Sequence, residues 1–138
     1  MSNKLNENVT FIVPPPTINT VPTKVLGKDG CLAKMYITKL NTNDNKQISR
    51  LEIDEGFDWN ENIKPILPGC PNSCPATHFG YLLEGEMEIT MDNGEKHTIL
   101  QGDSYLVQPG HLPIFRKKTI MIEFSQDSTY TNKEFINK

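Results

Sequence analysis

Cys70, Cys74 and His78 stand four residues apart, and His111 follows after several strand-like runs. Thiolate and imidazole form a borderline-soft donor set that suits Zn²⁺ better than Mn²⁺ or Fe²⁺. Cys74, His78 and His111 are therefore the candidate ligands of a divalent metal. Three such ligands plus a water resemble a catalytic site more than a structural one. The spacing is not the C-x-x-C pair of the strong zinc signatures, and Pro71 and Pro75 forbid a helix presenting these side chains on one face. The same residues also have a metal-free reading. His78 is then a hydrogen-bonded interior histidine, Cys74 a small buried filler, and His111 a partner for a neighbouring loop. His97, beside Lys96, reads as surface. Glu84 and Glu86 flank a turn glycine and read as solvated carboxylates. No nucleophile-plus-base triad or phosphate-cradling glycine loop can be named.

The elements that must position these residues are strands. Cys31–Lys39 and Ile48–Ile53 read as two strands joined by the turn composition Asn41-Thr42-Asn43-Asp44-Asn45. Gly27-Lys28-Asp29-Gly30 reads as a turn before them. Residues 54–75 carry Gly56, Phe57, Trp59 and four prolines, too many breakers for a helix or a central strand. So long an irregular loop either covers a core or walls a site. From Ala76 to Gln108 there is no proline, and Gly85, Gly94, Gly102 and Gly110 punctuate short runs. Met87, Ile89 and Met91 alternate with polar residues, and Asp92-Asn93-Gly94 signals a tight hairpin. Ser104–Val107, Ile114-Phe115 and Thr119–Phe124 supply the last strands. Short, evenly spaced strands without an amphipathic helix predict an all-β antiparallel sandwich or barrel.

Alternation gives the site a direction. If His78 points inward, so do Gly80 and Leu82, while Phe79, Tyr81 and Leu83 face the other way. Gly80 then leaves room beside His78. Trp59 plugs one end of the core. His78, Gly80, Leu82, Trp59 and His111 are the expected walls of a small-ligand pocket.

Composition narrows the function classes. The chain has 138 residues, enough for one self-sufficient core, and a formal net charge of −3. That balance gives no general attraction to nucleic acid or to an anionic membrane. Arg116-Lys117-Lys118 reads as a solvated turn. No run approaches the roughly 18 apolar residues of a membrane span, and residues 1–10 lack the apolar centre of a signal peptide. A cytoplasmic location is the expectation. Three cysteines, an odd number, make no disulfide framework; Cys31 reads as a buried core thiol, and the state of Cys70 and Cys74 stays open.

With these residues in place, the chain resembles a cupin, the small jelly-roll β-barrel family. Y-L-L-E-G-E-M-E-I followed by Asp92-Asn93-Gly94 is similar to the end of that family's first motif, and Gly102-Asp103 through Pro109-Gly110 to its second. A narrower likeness is to small single-domain cupins with a Trp segment ending in Lys-Pro, a Cys-x-x-x-His-x-Gly-Tyr strand and a Pro-Gly-His turn. The resemblance implies an antiparallel jelly-roll barrel over 25–125, with an extended arm at 1–24 and a polar tail at 126–138. It also implies a homodimer, which an extended proline-rich arm laid along a partner's sheet edge would serve.

The usual cupin metal set of two histidines and a glutamate, with a later histidine, is altered. On this alignment those positions fall near Asn72, on Cys74, on His78 and on Pro113. An iron or manganese oxygenase assignment does not carry over. Two functions remain: a cupin that binds a small molecule or a divalent metal, zinc preferred, or a metal-dependent isomerase, lyase or oxygenase acting on a small polar metabolite.

Overall fold

Nine strands form among the described residues, most of them where the alternating stretches of the sequence predict them, and glycine-containing turns set many of their limits. The computed structural model describes residues 21–125 apart from 29, 41 and 67, together with 10 and 12. The expected strand at 9–13, the triple proline at 14–16, the tail at 126–138 and its helical turn fall largely or wholly outside the described residues.

The strands are β1 (Lys24–Lys28), β2 (Cys31–Lys39), β3 (Gln47–Ile53), β4 (His78–Glu84), β5 (Glu86–Met91), β6 (Lys96–Leu100), β7 (Ser104–Val107), β8 (His111–Ile114) and β9 (Thr119–Ser125). They form a six-stranded sheet in the order β1-β2-β3-β9-β4-β7 and a three-stranded sheet in the order β6-β5-β8. Every strand pairing between them is antiparallel. The two sheets close over one core as an all-β jelly roll.

Both sheets contribute to that core. Met35, Leu51, Leu82 and Met121 come from the larger sheet, and Met87, Ile89 and Ile99 from the smaller. Leu82 is fully buried, worth about 1.5–3 kcal/mol relative to an exposed leucine. The loop at 54–75 closes one end with Phe57, Trp59 and Ile63, all buried. It contains a single π-helical turn at Trp59–Ile63 and a 3₁₀ turn at Lys64–Ile66. Its breakers exclude a long helix but leave room for these two turns. The π-helical turn is capped by Asp58, whose carboxylate accepts from the Glu61 N–H.

Two local expectations are corrected, and the imperfect alternation of Ile48–Ile53 is resolved. Gly27 and Lys28 lie inside β1 rather than in a turn, with Gly27 opposite Leu32 and Lys28 opposite Cys31. Gly27 manages this with a φ of +103°, where a Cβ would stand 2.3 Å from the Cys31 carbonyl. In β3 the buried set is Gln47, Ser49, Leu51 and Ile53, so Ile48 sits on the outer side. The β5–β6 connection is not a two-residue turn with two positive φ angles. Gly94 alone takes a positive φ, +94°, and Met91 exchanges hydrogen bonds with Gly94 and Glu95. That is the three-residue hairpin loop closed by a left-handed glycine. Cys31 is half-buried at the rim of the core, its thiol donating to the Glu55 carbonyl.

Candidate metal centre

Backbone pairing brings the candidate ligands together. Cys74 precedes β4 and forms an isolated bridge with His111 at the start of β8. The Cys74 N–H donates to the His111 carbonyl at 2.9 Å, and the Gly110 N–H to the Cys74 carbonyl at 2.8 Å. His78 opens β4 and turns inward. The donor atoms of Cys74, His78 and His111 consequently lie within 4.8 Å of one another. Sγ of Cys74 is 3.6 Å from Nε2 of His78, and the two imidazole centroids are 4.9 Å apart in an edge-on arrangement.

Each ring is aimed by its other nitrogen. Nδ1 of His111 donates to the Gln108 carbonyl at 2.7 Å, since a carbonyl can only accept. Nδ1 of His78 is 2.9 Å from Oε1 of Glu123, whose Oε2 accepts from the Tyr105 hydroxyl at 2.8 Å. Both Nε2 atoms are thereby left toward Cys74. A histidine ligand oriented by a carboxylate or a carbonyl is the usual support of a protein-bound metal.

The electrostatics favour an ionised thiol. Burial by itself raises the Cys74 pKa, but hydrogen bonds from His111 and His78 and their charges outweigh it, lowering the pKa from 9.0 to about 6. For His78, burial works downward, and the charge of Glu123 together with the hydrogen bonds that the ring donates to Cys74 and Glu123 carries the pKa from 6.5 to about 10. Burial raises the Glu123 pKa, while the charge and hydrogen bond of His78 and the hydrogen bond of Tyr105 hold it below 4.5. A thiolate between two imidazoles is what a zinc-type ion binds. Donors 3.6 Å apart, as Cys74 and His78 are, also match the roughly 3.5 Å between neighbouring ligands of a tetrahedral zinc ion. The residues present fit a divalent metal.

A cavity of about 70 Å³ adjoins the donors. Trp59, Cys74, His78 and His111 line it, as does Pro113, which stands where the cupin pattern has a histidine. Gly80 and Leu82 do not line it. Leu82 is packed in the core, and the space beside Gly80 is filled: a Cβ there would lie 2.2 Å from the Ile122 carbonyl and 3.0 Å from the Tyr105 hydroxyl. Trp59 stoppers the loop end, its indole N–H donating away from the cavity to the Pro71 carbonyl at 2.9 Å. His97 is exposed, 3.6 Å from Glu95. None of the three cysteines is in a disulfide.

Glu123 and Tyr105 are the residues that sequence reasoning misses. In Thr119–Phe124 both alternating sets contain apolar residues, and the more apolar set, Ile120, Ile122 and Phe124, is the natural choice for the core. The structure turns Thr119, Met121 and Glu123 inward instead. The available signal was Gly80: a residue without a side chain next to an inward histidine marks a place where neighbouring strands reach across.

Replacing Glu123 by glutamine removes the carboxylate from His78 while keeping its shape. Zinc affinity should fall about 10- to 100-fold, read by competition with a chromogenic chelator.

Residues 71–135 match the family model of the EutQ-like cupin domain. The chain superposes on the EutQ protein of Clostridium difficile at 15% identity, covering 72% of this chain and 75% of that one, with a TM-score of 0.51. It superposes on ectoine synthase from P. lautus at 19% identity, covering 78% and 70%, with a TM-score of 0.51. Both likenesses show the fold. No curated protein matches the chain in sequence.

Proposed function

Because the chain is a small cupin domain, we propose that its barrel binds a divalent metal, zinc by preference, through Cys74, His78 and His111, with a small molecule in the adjoining cavity. The observation that carries this reading is the convergence of the three donors within 4.8 Å. Bound there, the metal would act as a Lewis acid toward whatever shares its site. The chain's own residues supply the rest. Glu123 and the Gln108 carbonyl orient the rings, Tyr105 holds Glu123, and Trp59 closes the loop end to water.

The test is metal analysis of untagged protein purified without chelators. Near-stoichiometric zinc is expected. A metal-free protein that takes up no added zinc would refute the reading.

A second reading, a metal-assisted isomerase, lyase or oxygenase, draws on Pro113. With no fourth protein ligand at that position, one side of the centre is left to the cavity, as in catalytic rather than structural zinc sites.

We also propose a setting and an assembly. A cytoplasmic setting agrees with three cysteines outside any disulfide; among the described residues no helix is long and apolar enough to cross a membrane. A homodimer is supported by the outer face of the larger sheet. Phe79 and Leu106 are cross-strand neighbours 57% and 60% exposed, Phe79 packs on Phe124, and Tyr81 and Leu83 extend the stripe along β4. A light-scattering mass of twice the chain is expected, falling to one chain in Phe79→Glu with the circular dichroism unchanged. A wild-type mass of one chain excludes it.

A further inference from the structure

The cavity beside the donors limits what can share the metal with them. At about 70 Å³ it is about half the size of an apolar cavity of roughly 150 Å³ that takes benzene. Among the described residues, the ionisable side chains lining it are Cys74, His78, His111 and Glu123, with no lysine or arginine. Those four already have partners. The Glu123 oxygens accept from His78 and Tyr105, and Nδ1 of His111 is held by Gln108. The remaining wall is apolar, built from Met35, Leu51, Met87, Pro113, Phe115 and Met121 among others. Even the Trp59 N–H is spent on Pro71. A second charged group on a ligand would be buried here with no countercharge, and a row of hydroxyls with no hydrogen-bond partners.

We propose that the site takes a ligand smaller than benzene, with one metal-binding atom and an uncharged apolar remainder. A sugar, nucleotide or dianionic metabolite would have to bury hydroxyls or charge against this wall. This inference rests on the metal reading of Cys74, His78 and His111. It departs from the small polar metabolite that the residue types alone suggest.

The experiment uses the full chain loaded with cobalt(II), whose visible bands and sulfur-to-cobalt charge-transfer band report the centre directly. Three probes are titrated against those bands: propanethiol, hexanethiol and 2-mercaptoethanesulfonate. Propanethiol should shift the bands saturably. The sulfonate is as large as hexanethiol and in addition strands a charge in the apolar wall, so it should bind roughly a hundredfold more weakly than propanethiol. Hexanethiol should bind about tenfold more weakly or worse because it overfills the space.

Sulfonate or hexanethiol binding as tightly as propanethiol overturns the inference and leaves the metal reading standing. So does a charge-transfer band that none of the three thiols moves. A chain that gives no cobalt bands overturns the metal reading and this one with it.

Discussion

Cys74→Ala should empty the metal centre. Protein purified as above is expected to carry less than about a tenth of the parent's zinc, because two neutral imidazoles without a thiolate hold the ion far more weakly. The fold should survive, since Cys74 is pinned to Gly110 and His111 through backbone atoms that alanine retains.

The same variant separates the charge pair from the metal. In the metal-free parent, Cys74 should give an ultraviolet thiolate step at about pH 6 instead of 9.0. The variant lacks that step. The effect on stability has two limbs of opposite sign. The depressed Cys74 pKa contributes stability fully present above 9.0 and lost as pH falls through about 6. The raised His78 pKa contributes stability fully present below 6.5 and lost as pH rises through about 10. The thiolate–imidazolium pair therefore exists only between about pH 6 and about pH 10. Urea unfolding of metal-free parent and variant should differ most inside that window and converge outside it. A difference that grows below pH 6 would show that some other property of Cys74 carries the effect.

Gly80→Ala should be strongly destabilising. The added Cβ would lie 2.2 Å from the Ile122 carbonyl, a backbone atom of the central strand β9 that cannot swing aside. It would also meet Glu123 Cγ and the Tyr105 hydroxyl at 3.0 Å. A cost of about 3 kcal/mol or more in chemical denaturation is expected, at the upper end of overpacking effects. Zinc affinity should fall with it, since the methyl pushes on both residues behind His78. Gly94→Ala is the control. Its Cβ meets nothing within 4 Å, and only the positive φ is penalised, by about 1–2 kcal/mol. Equal costs at the two positions would remove the steric argument.

The two glycines also mark what the sequence could and could not show. Gly94 announces itself, because a turn composition between alternating runs is local. So are β2 and β7, whose limits coincide with the expected runs Cys31–Lys39 and Ser104–Val107. Cys74, His78 and His111 were legible as donor types. Their meeting depends on a bridge between segments more than thirty residues apart, which no spacing rule expresses. Glu123 was hidden for a different reason. In Thr119–Phe124 the more apolar alternating set is Ile120, Ile122 and Phe124, so hydrophobicity points to the wrong face, and the inner set carries the acid. Gly80 was read as making room for a ligand. The room exists, but Tyr105 and Glu123 occupy it.

The bridge between Cys74 and His111 has a consequence for the metal's place in the life of the protein. Two of the three donors are held by main-chain hydrogen bonds within a barrel whose core is already closed. On the metal reading, the ion would be a tenant of a finished building rather than a keystone. Its loss should leave the chain folded, so occupancy would follow the free metal supply, and the empty and filled proteins would share one architecture.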